Sequence, residues 1–111
     1  MELLGALFHV AYLYARSVHD ATHLLAEVNP RHAGFYMRML GFRRAGPQRV
    51  CRRVEAPAVM VELSLDHAED EIARYGGHPE LARARRSLYP FSFSPDEEHR
   101  IIARLFGIDR T

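Results

Sequence analysis

Glu27, Asn29, His32 and Tyr36 stand within ten consecutive positions, in the stretch "EVNPRHAGFY". Together they offer a carboxylate, a primary amide, an imidazole and a phenol. A carboxylate or an imidazole can take up a proton, and a phenol can give one to a leaving thiolate. The amide of Asn29 supplies two donors and an acceptor for holding a polar chain in place. The chemistry within reach is general acid and base catalysis, Glu27 and His32 being equal candidates for a base and Tyr36 the candidate for the acid.

That chemistry requires the side chains to be held at one sheet edge, and the local sequence has the means. "THLLAEV", residues 22–28, reads as a strand that Asn29-Pro30 terminates. Pro30 suits the first position of a helix. The helix is expected to run to about Leu40, and Gly41 ends it through the left-handed geometry that glycine tolerates. The first backbone N–H groups of this helix lack partners and point at whatever lies beyond the strand. Tyr36, on the second turn, leans back toward the same opening, because helical side chains tilt toward the N-terminus. Strand alternation sends Glu27 and Asn29 out on one face.

Around this unit the chain predicts a single α+β domain, residues 1–111, with a mixed sheet of about three to four strands and helices packed on it. Leu3, Leu4, Leu7, Phe8, Ala11, Tyr12, Ala15 and Val18 recur at steps of three and four, which predicts a helix over 2–18. Ala6, Val10, Leu13 and Tyr14 make its other side apolar too, so a second copy of the chain or a partner is expected to cover it. Phe42 to Val54 reads as one or two strands around Gly46-Pro47. "AVMVELSL", residues 58–65, alternates cleanly: Val59, Val61, Leu63 and Leu65 against Met60, Glu62 and Ser64. A helix starting at an Asp66–Glu69 capping pattern follows, then another after Pro79. The last helix has Ser94 as N-cap, Pro95, Glu97 closing the capping box, an inner face of Ile101, Ile102, Leu105 and Phe106, and a stop at Gly107.

Fifteen basic and fourteen acidic residues nearly cancel, which argues against nucleic-acid binding through bulk charge. The basic clusters at 43–44, 51–53 and 83–87 read as solvated faces. With Cys51 as the only cysteine there is no intramolecular disulfide, and a reducing, cytoplasmic setting fits. The apolar run "LLGALFHVAYLYA" is too short to span a bilayer and lacks the positive leader of a signal peptide, Glu2 standing in that place.

The order asparagine, tyrosine seven residues later, then Gly-Phe resembles the C-terminal half of a GNAT-type acyltransferase. The fuller string "EVNPRHAGFYMRMLGF" looks most like long-chain N-acyl amino acid synthases, relatives of the autoinducer synthases. "EAPAVMVELSLD" and "SLYPFSFSPDEE" are similar to the same group, so the resemblance runs over most of residues 3–106. It implies transfer of a fatty acyl group from acyl carrier protein or a CoA thioester to an amino acid's α-amine, the thioester being the donor substrate and no cofactor being held covalently. Tyr36 then protonates the departing pantetheine thiolate, and Asn29, with Arg31 and Phe35, holds the donor. Two features depart from the pattern. Four residues separate Tyr36 from Gly41 where acetyltransferases commonly have three. The glycine-bearing phosphate loop and the strand that complete the cleft belong before the helix at 2–18. The expectation is a fragment, or a half-domain that pairs with another chain; in the second case it serves either as an enzyme or as an interaction module.

"FYMRMLGF" also resembles the Phe-Tyr-x-x-x-Leu-Gly-Phe signature of vicinal-oxygen-chelate proteins, with His23 and Glu62 as possible metal-ligand types. Helices expected over 66–106 displace the strands of that family's second module, so this reading ranks below acyl transfer and no metal site is assigned. The seven histidines are otherwise scattered; His19 and His23 are four apart but straddle a change from helix to strand. Cys51 is read as a strand-packing residue rather than a reactive thiol.

Overall fold

A computed structural model of the chain describes residues 1–51 and 55–107. The elements run α1 (Glu2–Ser17), β1 (His23–Val28), α2 (Pro30–Leu40), β2 (Arg43–Arg44), β3 (Arg49–Cys51), β4 (Ala56–Ser64) and α3 (Leu65–Tyr75). A 3₁₀ turn (Pro79–Leu81), the short α4 (Ala82–Arg85), a second 3₁₀ turn (Tyr89–Phe91) and α5 (Pro95–Phe106) complete the fold. The end of the strand expected to reach Val54 lies outside the described residues, as does the side chain of Cys51. The class is α+β, as the sequence predicts, and no helix among the described residues is long and apolar enough to cross a membrane.

The four strands form a sheet with the order β1-β4-β2, and β3 also pairs with β4. The strands expected around 22–28 and 58–65 are neighbours: His23 to Val28 run antiparallel to Val59–Ser64, with Leu25 opposite Glu62 and Glu27 opposite Met60. The expectation of a mixed sheet is corrected, because each of these pairs is antiparallel. The crossover through α2 does make β1 and β2 point the same way, but β4 lies between them and takes the hydrogen bonds of both.

One face of the sheet carries the core. Val59, Val61 and Leu63 are buried beneath the helices together with Tyr12, Leu13, Leu40, Phe42, Leu65, Ala68, Ile72, Leu88, Tyr89 and Ile102. The half-buried Leu24, Ala26 and Val28 of β1 add to this side. The alternate positions, His23, Leu25 and Glu27, are exposed on the opposite face, where Leu25 is 64% accessible. A one-residue slip in register would exchange the two sets, so the hydrophobic pattern fixes the pairing.

α1 buries only part of the set that the apolar periodicity marks: Tyr12 and Ala15 point inward with Gly5, His9 and Leu13, while Leu3, Leu4, Leu7, Ala11 and Val18 stay exposed. Gly5 decides this. A Cβ there would lie 2.6 Å from the Cβ of Phe91, so only glycine lets α1 cross the Tyr89–Phe91 turn so closely. His9, fully buried, accepts at Nδ1 from the Phe93 N–H (2.9 Å) and meets the Glu98 carboxylate through Nε2 (3.1 Å). Leu3, Leu7, Tyr14 and Val18 are left as an exposed apolar stripe. Arg16 ties the end of α1 to α3, donating to Asp66 (2.5 Å) and Glu69 (2.8 Å). The sequence pattern assigns that acidic pair to the cap of α3. The cap is instead Ser64, two residues before Asp66, whose hydroxyl accepts from the His67 N–H. In α5 the capping box of Ser94 and Glu97 forms as expected, but Leu105 is 57% exposed and Ile102 alone is fully buried.

Candidate active site

The loop between β1 and α2 is built as its residues dictate. Asn29 takes extended backbone angles and caps the helix, its Oδ1 accepting from the Arg31 N–H at 2.9 Å. Such a cap contributes about 1 kcal/mol. Pro30 follows at the first helical position, where its missing N–H costs nothing. At the other end Gly41 adopts φ 85°, ψ 18°, and its N–H closes on the Met37 carbonyl.

The C-terminal end of α2 is held by a segment distant in sequence. The Leu88 N–H donates to the Met39 carbonyl at 3.0 Å, and the Tyr89 hydroxyl donates to the Leu40 carbonyl at 2.5 Å. Carbonyls of the last helical turn have no intrahelical donor, so these contacts supply what the helix lacks. Burial pushes the Tyr89 hydroxyl well above the usual tyrosine range, with a smaller contribution from the Glu71 carboxylate. It remains a neutral donor.

Tyr36 is half-buried on α2, edge-on to Phe42 (centroids 6.0 Å) and to Phe35 (5.6 Å). Both rings and Ala33 rest against the core, while Arg31 and His32 are exposed at the helix start. The structure thus gathers Asn29, Arg31, His32, Phe35 and Tyr36 on the cap and first two turns of one helix. Glu27 stands apart from Tyr36. It projects from the open face of the sheet, whereas α2 covers the other.

On that open face a pocket of about 120 Å³ is lined by Glu27, Ala45, Gly46, Arg49, Ala58 and Met60. The Ala45 N–H donates to the Met60 carbonyl (2.8 Å), and Arg44 Nε donates to the Gly46 carbonyl (3.1 Å), which fixes the turn forming one wall. Arg43 and Glu62, on neighbouring strands, pair at 2.7 Å. Sequence reasoning passes over Arg49 because it falls between the two basic clusters. Its position opposite Ala58 follows only once the register of β3 on β4 is known. The Leu88–Tyr89 clamp is equally hidden: it joins residues about fifty positions apart.

His23 Nδ1 lies 3.1 Å from the Thr22 hydroxyl, and Glu62 is engaged by Arg43. Among the described residues no three His, Cys, Asp or Glu side chains gather around one point.

A strand, an asparagine cap and a tyrosine-bearing helix, fed back into the same sheet, define a class of α+β unit that presents polar side chains at a strand end. A family model, described as N-acyl amino acid synthase FeeM, matches residues 1–64, more than half of the chain. The chain belongs to this family of acyltransferases. Comparisons with curated proteins and with solved structures give no match.

Proposed function

We propose that the chain carries the acid and donor-holding half of a GNAT-type N-acyltransferase that moves a fatty acyl group from acyl carrier protein or CoA to the α-amine of an amino acid. The observation that supports this most strongly is that the family match spans β1, the Asn29 cap, α2 and β4 as one unit. The order β1-β4-β2, with the last strand inserted between the two joined by α2, suits such a half-domain.

In this reading the acceptor ammonium first gives a proton to Glu27 or His32. The neutral nitrogen attacks the thioester carbonyl carbon, and a C–N bond forms. Loss of a second proton from nitrogen and breaking of the C–S bond release the amide and a thiolate, which takes a proton from Tyr36. The balance is acyl thioester plus ammonium giving amide, thiol and one proton. Asn29, Arg31 and Phe35 hold the pantetheine arm, the amide of Asn29 using donors that its capping oxygen leaves free. The exposed stripe Leu3, Leu7, Tyr14 and Val18 is covered in the working cytoplasmic enzyme by a second copy or a partner chain.

Replacing Tyr36 by Phe tests the acid. The ring keeps its contacts with Phe35 and Phe42, so stability is expected to stay within about 1 kcal/mol. Thiol release from an alkyl thioester should fall roughly 10²–10⁴-fold. A donor with an acidic thiol should lose far less, since its leaving group needs no proton. An unchanged rate on the alkyl thioester would remove Tyr36 from the chemistry, and equal losses on both donors would make it a binding residue. If the wild-type chain with its covering partner releases no thiol at all, the unit is an interaction module.

A further inference from the structure

We infer that the pocket on the open sheet face binds the zwitterionic head of the acceptor amino acid, with Arg49 holding the α-carboxylate and Glu27 the α-ammonium. The inference rests on the acyl-transfer reading for its substrate class and goes beyond it in naming the residues and the side-chain preference.

The argument starts from charges that share a pocket and do not meet. Glu27 and Arg49 both line it, yet neither has a side-chain hydrogen bond or ion pair among the described residues. Their neighbours behave differently: on the same sheet face Arg43 and Glu62 are paired at 2.7 Å. A carboxylate and a guanidinium facing one hollow without closing on each other leave room for a ligand that carries the opposite charges in the opposite order. An α-amino acid has that pattern. Arginine's planar fork matches a carboxylate with two parallel hydrogen bonds, and a carboxylate accepts readily from an ammonium. A monoanion such as phosphate would meet Arg49 but be repelled by Glu27; a simple cation would meet the reverse.

The rest of the wall selects the side chain. Ala45, Ala58 and Met60 are apolar, and methionine adapts its shape to what it covers. Leu25 continues the apolar surface two residues along β1 on the same face. The pocket's volume, about 120 Å³, suits the head group, with the side chain lying outward along Leu25. The preferred acceptor is therefore an L-amino acid with an apolar side chain. Glu27 sits two residues before the Asn29 cap, at the end of β1 that leads into α2.

The test titrates the chain with L-leucine, L-leucinamide and 4-methylpentanoate, following backbone amide signals of Ala45, Gly46 and Ala58 by NMR. The amide lacks the carboxylate, and the acid lacks the amine. Leucine is expected to bind about tenfold more tightly than either analogue, the effect of one charged hydrogen-bonded contact at a partly exposed site. Arg49→Gln should abolish the preference over leucinamide alone, and Glu27→Gln the preference over 4-methylpentanoate alone. Both side chains are exposed, so both variants should fold, and the wild-type comparison stands without them. Equal binding of the three probes, or preferences that survive the substitutions, would overturn the assignment. Thiol release with leucine and an acyl thioester separates the two readings. Selective binding without thiol release leaves the pocket standing and removes acyl transfer. Thiol release by Arg49→Gln with unchanged KM for leucine removes the pocket and leaves acyl transfer in place.

Discussion

Removing one oxygen from Tyr89 should loosen the helix that carries Tyr36. In Tyr89→Phe the ring keeps its place against Phe8 (centroids 5.8 Å) and His67 (6.2 Å), and the space left is smaller than a methyl group. What disappears is the donor to the Leu40 carbonyl, in a residue only 3% exposed. Two other carbonyls of that turn keep their partners: Met37 receives the Gly41 N–H and Met39 the Leu88 N–H. An acceptor stranded in the core costs about 1–3 kcal/mol. At roughly 4 °C per kcal/mol for a chain of this size, Tm should fall by about 4–12 °C. The sign with pH is also fixed. Burial raises the folded-state pKa of Tyr89 above its ordinary value of 10.0, so its contribution is complete below pH 10. Above pH 10 the unfolded chain ionises first, and that stability is lost as pH rises. Urea unfolding of wild type and Tyr89→Phe from pH 7 to 11 should show the gap closing at the alkaline end. A residual slope should remain in the variant, because burial raises Tyr12 too. A Tm within 1 °C of wild type, with parallel pH dependence, would refute the clamp.

Substitutions at four further positions probe the frame around the candidate site. Asn29→Ala should cost about 1 kcal/mol through the lost cap, whereas Asn29→Asp keeps the accepting oxygen and should hold stability while losing the amide donors proposed for the pantetheine arm; urea midpoints and the KM for donor separate the two roles. His9→Leu strands the Phe93 N–H and the Glu98 carboxylate together and should cost about 1–3 kcal/mol, with Glu98→Gln costing less because its amide oxygen still accepts from Nε2–H. Ser92 is buried at 3% exposure with a hydroxyl that has no hydrogen-bond partner among the described residues, so Ser92→Ala should leave stability unchanged or raise it by up to about 1 kcal/mol; a loss of stability in chemical denaturation would reveal a partner for the hydroxyl.

The parts of the fold legible in the sequence are those whose signals are local. Asn29-Pro30 and Gly41 mark both ends of α2 because cap geometry depends on a few adjacent residues. The inward set of β4 follows from period-two alternation, and the capping box of α5 from a four-residue pattern. Misreadings begin where a distant group decides. Apolar periodicity alone cannot choose the buried face of α1, since nearly every side of that helix is apolar. A glycine's contact with Phe91 and a histidine's two hydrogen bonds choose it. Asp66 and Glu69 have the spacing of a capping pair, but Arg16, fifty residues earlier, claims both.

The candidate site divides along the same line, and this bears on how it works. Asn29, Arg31, His32, Phe35 and Tyr36 belong to one cap and two helical turns, so their common placement is a local property that survives wherever α2 forms. Glu27 and Arg49 are brought together only by two separate pairings with β4, at Met60 and at Ala58. β4 is therefore the element that would couple the two substrates: its inward residues seat α2 through Val59 and Val61, and its outward residues floor the pocket through Ala58 and Met60. Anything that shifts β4 by one residue would turn Met60 into the core and Val59 and Val61 out of it. The seat of α2 and the floor of the pocket would be lost in the same event. On the proposed assignment of donor and acceptor, a misregistered sheet loses both sites at once, and thioester contact is restricted to chains that can also present an amine.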